Sequence, residues 1–145
     1  MKDAVDIPTP DTGRAGAPVV DPMALRTWLR LLTCHNQIEA NLRNRLRLGF
    51  DTTLPRFDLM AQLEREREGL TMGELSRRMM VTGGNVTTIV DQLEKEQLVQ
   101  RQSLPADRRA FRVSLTPAGR KAFAAMAQAH EGWVCLLYTS DAADD

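Results

Sequence analysis

The stretch "VTGGNVTTIVDQLE", residues 81–94, decides the reading of this chain. Its second half sets Val86, Ile89, Val90 and Leu93 at the spacing of one helix face. Its first half places Gly83 and Gly84 side by side in the first turn, although each glycine costs a helix interior roughly 1 kcal/mol relative to alanine. Thr82, just before them, is a natural N-cap. Upstream, "LTMGELSRRM" (70–79) opens on a Thr71-x-x-Glu74 capping box, in which hydroxyl and carboxylate satisfy two otherwise orphaned amides. Met72, Leu75 and Met79 form its core side, and Met80-Val81 make the turn. Two short helices joined by a tight turn are a helix-turn-helix.

Working outward, "LVQRQSL" and "AFRVSLT" each alternate apolar and polar side chains and are joined by "PADRR". They read as a two-stranded hairpin with a charged tip. Thr116-Pro117 caps a further helix with Phe123, Met126 and Trp133 on its apolar side. Before the helix-turn-helix, Asp21-Pro22 is an N-cap followed by proline at the first helical position. A stripe of Leu25, Trp28, Leu29, Leu32, Ile38, Leu42 and Leu46 then runs for about seven turns. Gly49 is expected to end it. A second helix follows "TTLP" with Phe57, Met60 and Leu63 inward and is expected to stop at Gly69, the "EREREG" run forming its solvated end. Residues 1–20, rich in proline and glycine, bury too little to offset their ordering entropy and read as a disordered arm.

The 145 residues suit one domain with a real core. Nineteen basic residues balance nineteen acidic ones, which by itself argues against a nucleic-acid partner. The balance is local, however: residues 71–121 hold nine basic and five acidic side chains. No apolar run reaches membrane-span length and no secretory pattern opens the chain, so a cytoplasmic protein is expected. Two histidines and two cysteines make no metal constellation, and neither a nucleophile–base pair nor a phosphate-cradling loop is present. No cofactor, metal or catalytic residue is expected.

The motifs "LTMGELSRRM", "NVTTIVDQLEKEQLVQR" and "PADRRAFRVSLTPAG" at these spacings resemble the MarR family of bacterial transcription regulators, over roughly residues 21–133. The resemblance implies a mainly α fold with a small β-hairpin. A winged helix-turn-helix would occupy about 54–115, flanked by dimerisation helices over about 21–48 and 116–133. It implies a DNA-binding regulator, a ligand-responsive repressor whose intact parent acts as a homodimer on a pseudo-palindromic operator. Three positions depart from the family pattern: Thr88 replaces a basic residue, Gln97 a glycine and Leu104 an acid. A left-handed residue would be strained at Gln97, so the helix before it is expected to end differently.

Within that frame Gly83 and Gly84 let the helix N-terminus approach a phosphate or base edge; a merely flexible first turn is the alternative. Thr82, Asn85, Thr87 and Thr88 are candidate DNA contacts, Asn85 suited to bidentate recognition of adenine. Arg108, on the wing, would reach into the minor groove. Arg109, also a DNA-side candidate, reads as the more structural one, paired with Asp91 or Asp107. Arg77 and Arg78 are candidates for phosphate or for plain solvation. Trp28 and His35 are candidates for an effector cavity, which in the family takes small aromatic or phenolic acids; His35 is equally an ordinary interface residue. Cys34, in helical register with Leu31 and Ile38, reads as a small buried apolar residue, with an oxidant-sensing thiol as the alternative. A winged helix used for protein contact is the other alternative.

"CLLYTSDAADD" (135–145) has no helical stripe and no family counterpart. It resembles a translated transposase-based sequencing adapter. Residues 134–145 are therefore expected to be a non-native tail on a C-terminally truncated parent that lacks the family's last dimerisation helix. Without Asp141, Asp144 and Asp145 the formal charge would move from 0 to +3.

Overall fold

The computed structural model describes residues 21–79 and 86–140, apart from the side chains of Arg108, Tyr138 and Ser140. The chain divides between His35 and Asn36 into two compact units. The described part of the first is the N-terminal portion of α1 (Pro22–Phe50), started by Asp21, whose Oδ1 accepts from the Met23 amide at 2.9 Å.

In the second unit the chain continues through α2 (Leu54–Glu64), β1 (Leu70–Thr71), α3 (Met72–Arg78) and α4 (Val86–Lys95). The hairpin strands β2 (Val99–Leu104) and β3 (Asp107–Leu115) and the helix α5 (Pro117–Ser140) complete it. Leu46, Leu59, Met60, Leu63, Leu75, Val90, Leu93 and Val113 form a fully buried core to which α1, α2, α3, α4 and the sheet all contribute. The mainly helical architecture with a small antiparallel sheet is the one expected from the sequence.

Several details differ from the sequence reading. Gly49 does not end α1; the helix runs to Phe50 and stops at Asp51, which takes a left-handed φ of 49°. Helix α2 ends at Glu64 rather than Gly69: the Glu66 and Gly69 amides close three-residue turns on the Leu63 and Glu66 carbonyls, at 3.1 and 2.9 Å, while Glu64 pairs with Arg120 of α5 and Glu66 with Arg78 of α3. Gly69 serves a different purpose, a left-handed turn at φ 81° so close to β3 that a Cβ would lie 2.5 Å from the Val113 carbonyl oxygen. That approach lets Leu70–Thr71 pair with Val113 and Arg112, so the sheet has three strands in the order β1-β3-β2, not two. Finally α5 continues through "CLLYTS" to Ser140, where no helical stripe was expected; no glycine or proline interrupts residues 133–140.

The capping box is present as read. The Thr71 amide and hydroxyl both donate to Glu74 Oε2, at 2.8 and 3.0 Å, and the Glu74 amide donates to the Thr71 hydroxyl at 3.3 Å. The Thr71 amide, then its hydroxyl, hold the Glu74 carboxyl below the usual carboxylate range.

Helix α4 ends on the left-handed residue that the sequence reading expected it to avoid as strained. Gln97 is left-handed, at φ 61°, and the amides of Gln97 and Leu98 return to the carbonyls of Glu94 and Leu93, both at 2.9 Å. This is a Schellman closure built without glycine. The strain is offset by what the closure anchors: the Gln97 carbonyl accepts from the Thr116 hydroxyl at 2.7 Å, and Leu98 packs on the core. Gly119 then passes so close to Leu98 that a Cβ there would meet its carbonyl oxygen at 1.9 Å. The Thr116 hydroxyl accepts from the Gly119 amide at 2.9 Å and caps α5.

Candidate nucleic-acid interface

Helix α4 buries Ile89, Val90 and Leu93 and turns its opposite side outward. Thr87 and Thr88 are exposed, as expected, and Gln92 and Lys95 extend the Thr88 row along the helix at i+4 and i+7. These last two were missed in the sequence, although their spacing from Thr88 was the available signal. Thr82, Gly83, Gly84 and Asn85 lie outside the described residues, so their placement is not part of this geometry.

The hairpin stands beside α4. Its connection is only Pro105-Ala106, and Asp107, Arg108 and Arg109 belong to β3 rather than to a loose tip. The register shifts between Ser103 and Leu104, where Leu104 pairs with Asp107. Arg109 is exposed, its amide donating to Asp107 Oδ1 at 2.9 Å. The side chain of Arg108 lies outside the described set. Among the described residues no ion pair joins Arg109 to Asp91.

Asp91 has a different partner. Arg101 of β2 bonds Asp91 and also Glu94, at 3.2 Å, and its guanidinium lies 5.1 Å from the centre of the Phe111 ring on β3. One side chain thus ties the wing to α4 and offsets part of the acidic charge on that flank of the helix. The sequence held a signal for this. Val99 and Arg101 share one face of β2, and Val99 is buried, so Arg101 must lie against the domain rather than in solvent.

On α3, Arg77 is exposed, whereas Arg78 is held by Glu66 at 2.7 Å. Within the first unit Trp28 and His35 are exposed on one face of α1, two turns apart. Cys34 is exposed as well, which corrects its reading as a buried apolar residue. The helical spacing it shares with Leu31 marks a stripe, but Leu31 is itself 62% exposed. The other histidine, His130 of α5, is half-buried and stacks on Phe57 with ring centres 4.9 Å apart; burial lowers its pKa from the ordinary 6.5. Among the described residues no cluster of His, Cys, Asp and Glu could hold a metal, and no helix is long and apolar enough to cross a membrane.

Comparison with known proteins places this geometry. Residues 52–111 match the MarR family model. A MarR family transcriptional regulator from Silicibacter pomeroyi is 36% identical, with a TM-score of 0.64 over 75% of this chain and 74% of that one. An HTH-type transcriptional regulator of Bacillus cereus is 35% identical over 95 residues, 66% of this chain and 61% of its own length. The chain thus spans about three fifths of that curated relative. The fold is also that of Sco3205 from Streptomyces coelicolor, a MarR family regulator solved in complex with DNA, at 23% identity and a TM-score of 0.72 over 79% of this chain and 75% of that one.

Proposed function

Since the chain belongs to the MarR family, whose members are transcriptional regulators rather than enzymes, we propose that it binds DNA sequence-specifically as a ligand-responsive repressor. It works in the cytoplasm as a homodimer on a pseudo-palindromic operator, and the recognition helices α4 enter successive major grooves about one turn apart. The observation that carries this reading is the outward row Thr88–Gln92–Lys95 with the wing fixed beside it through Arg101. A helix whose outer face is polar, paired with a basic strand end alongside, fits a duplex: the helix reads base edges while Arg108 and Arg109 meet the backbone or minor groove. Thr82, Gly83, Gly84 and Asn85 would supply the close approach at the helix start, and Arg77 a phosphate contact. Arg78 contributes only if it leaves Glu66.

Dimerisation is supported by the first half of α1, where Leu25, Trp28, Leu29 and Leu32 are between 40% and 60% exposed. Such a stripe gains free energy from cover. Effector binding by a small aromatic or phenolic acid would lower operator affinity by shifting the population toward a helix spacing that does not match the grooves. The assay is fluorescence anisotropy with duplexes selected from a random pool, repeated across a salt series. Affinity should fall steeply with salt, and Arg108→Ala or Arg109→Ala should each reduce the log–log slope by about 1. Failure to enrich any duplex, or an affinity indifferent to salt, would refute the reading.

A further inference from the structure

The turn that closes α4 and the first turn of α5 are joined through one hydroxyl. Thr116 Oγ1 donates its proton to the Gln97 carbonyl at 2.7 Å and accepts from the Gly119 amide at 2.9 Å. Around it the contact is backbone against backbone. The Thr116 amide donates to the Leu98 carbonyl at 3.0 Å, and Gly119 lies so near that oxygen that a Cβ would overlap it. A further tie comes from α2, where Arg56 pairs with Glu96, the residue just after α4. We propose that Thr116 is a positioning residue for duplex recognition: its hydroxyl locks the end of α4 to α5 and so sets the pose in which Thr88, Gln92 and Lys95 meet the DNA. The proposal rests on the DNA-binding reading above and adds to it the part that holds the recognition helix in place.

The way α4 ends supports this role. A helix can stop without strain in the same chain: α3 closes on Met79 in an extended conformation. Helix α4 instead keeps a left-handed glutamine, and what that turn delivers is two carbonyls, those of Gln97 and Leu98, to the start of α5. Contacts between backbone atoms leave no rotamer free to absorb a displacement, so a movement of either helix at this joint is passed to the other. Leverage then decides which interactions suffer. The ten residues of α4 span about 15 Å, and a tilt of about 10° at the joint moves the far end by about 2–3 Å. A hydrogen bond to a base edge does not survive a shift of that size. The attraction of a cationic side chain for phosphate weakens only gradually with distance. A loosened joint therefore erodes sequence discrimination before it erodes general affinity for DNA.

Two substitutions separate the joint from the cap. Thr116→Ser keeps both functions of the hydroxyl. Thr116→Asp keeps only the acceptor: an ionised carboxylate caps a helix at least as well as threonine but has no proton for the Gln97 carbonyl. The full chain carrying each change is titrated by fluorescence anisotropy with the duplex selected from the random pool and with a scrambled duplex. Thr116→Asp should lower the ratio of the two affinities about tenfold, and Thr116→Ser should leave it within about twofold of the parent. The charge added by aspartate weakens both duplexes alike and cancels in the ratio. A residue that only caps α5 would leave the ratio unchanged in both variants. Amide hydrogen exchange on the free chain gives a second readout: Thr116→Asp should speed exchange of the Leu98 amide about tenfold while the Gly119 amide stays protected. A ratio indifferent to Thr116→Asp, an equal loss in Thr116→Ser, or unchanged Leu98 exchange overturns the proposal. Faster Leu98 exchange in a chain that enriches no duplex would sink the DNA-binding reading and leave the joint standing. A chain that discriminates its duplex equally well with aspartate at this position would do the reverse.

Discussion

Replacing Arg101 with methionine isolates the clamp between wing and recognition helix, because methionine keeps most of the aliphatic stem and removes the guanidinium. Three contacts disappear: the ion pairs to Asp91 and Glu94 and the cation–π contact with Phe111. Both acids are about half-exposed, so each pair contributes ~0.2–1 kcal/mol. The ring contact adds ~0.5–1 kcal/mol. The Nε of Arg101 is buried without a partner, and its removal offsets part of the loss. The net destabilisation should be about 1–2 kcal/mol, a fall of roughly 3–8 °C in Tm for a chain of this size. Urea unfolding measures it, and a double-mutant cycle with Asp91→Asn should return a coupling of roughly 0.3–1 kcal/mol. Operator affinity should fall further than stability does, since Asp91 and Glu94 are then left uncompensated on the flank of α4 and repel phosphate. A loss below about 0.3 kcal/mol that is independent of Asp91 would refute the clamp.

Gln97→Gly should stabilise the chain by about 0.5–1 kcal/mol in the same unfolding assay, because glycine takes φ 61° without the left-handed penalty and gives back only part of it as unfolded-state entropy. Gly119→Ala should cost 1–3 kcal/mol or more, since the new Cβ would be 1.9 Å from a backbone oxygen that cannot yield like a side chain; a neutral result would mean that α5 can move away from Leu98. His130 has a folded-state pKa below 6.5, so its contribution is fully present above pH 6.5 and is lost as pH falls through the lowered value. Tm should therefore drop between pH 7.5 and 5, and His130→Phe, which keeps a ring against Phe57, should flatten that part of the profile.

What the sequence made legible was local. The capping box at Thr71 and the stripe of α4 are signals three or four residues wide, and each appears in the structure where the spacing put it. Strand β1 was invisible for the opposite reason: two residues carry no period, and their pairing depends on Val113 and Arg112, more than 40 positions away. Gly69 was visible as a break but not as a contact, because the oxygen it makes room for belongs to β3. The partner of Asp91 was misjudged through the same gap, Arg109 being near in the motif and Arg101 near in space.

The apolar stripe of α1 takes the point one step further. Its period was correct through Leu46, yet Leu42 and Leu46 are buried in the domain core while Leu25, Trp28, Leu29 and Leu32 are open. Periodicity reports that a face would gain about 25 cal/mol per Å² from cover, and it is indifferent to what supplies the cover. Cys34 was judged buried on that indifferent signal, and its exposure shows the cost of treating a stripe as a contact.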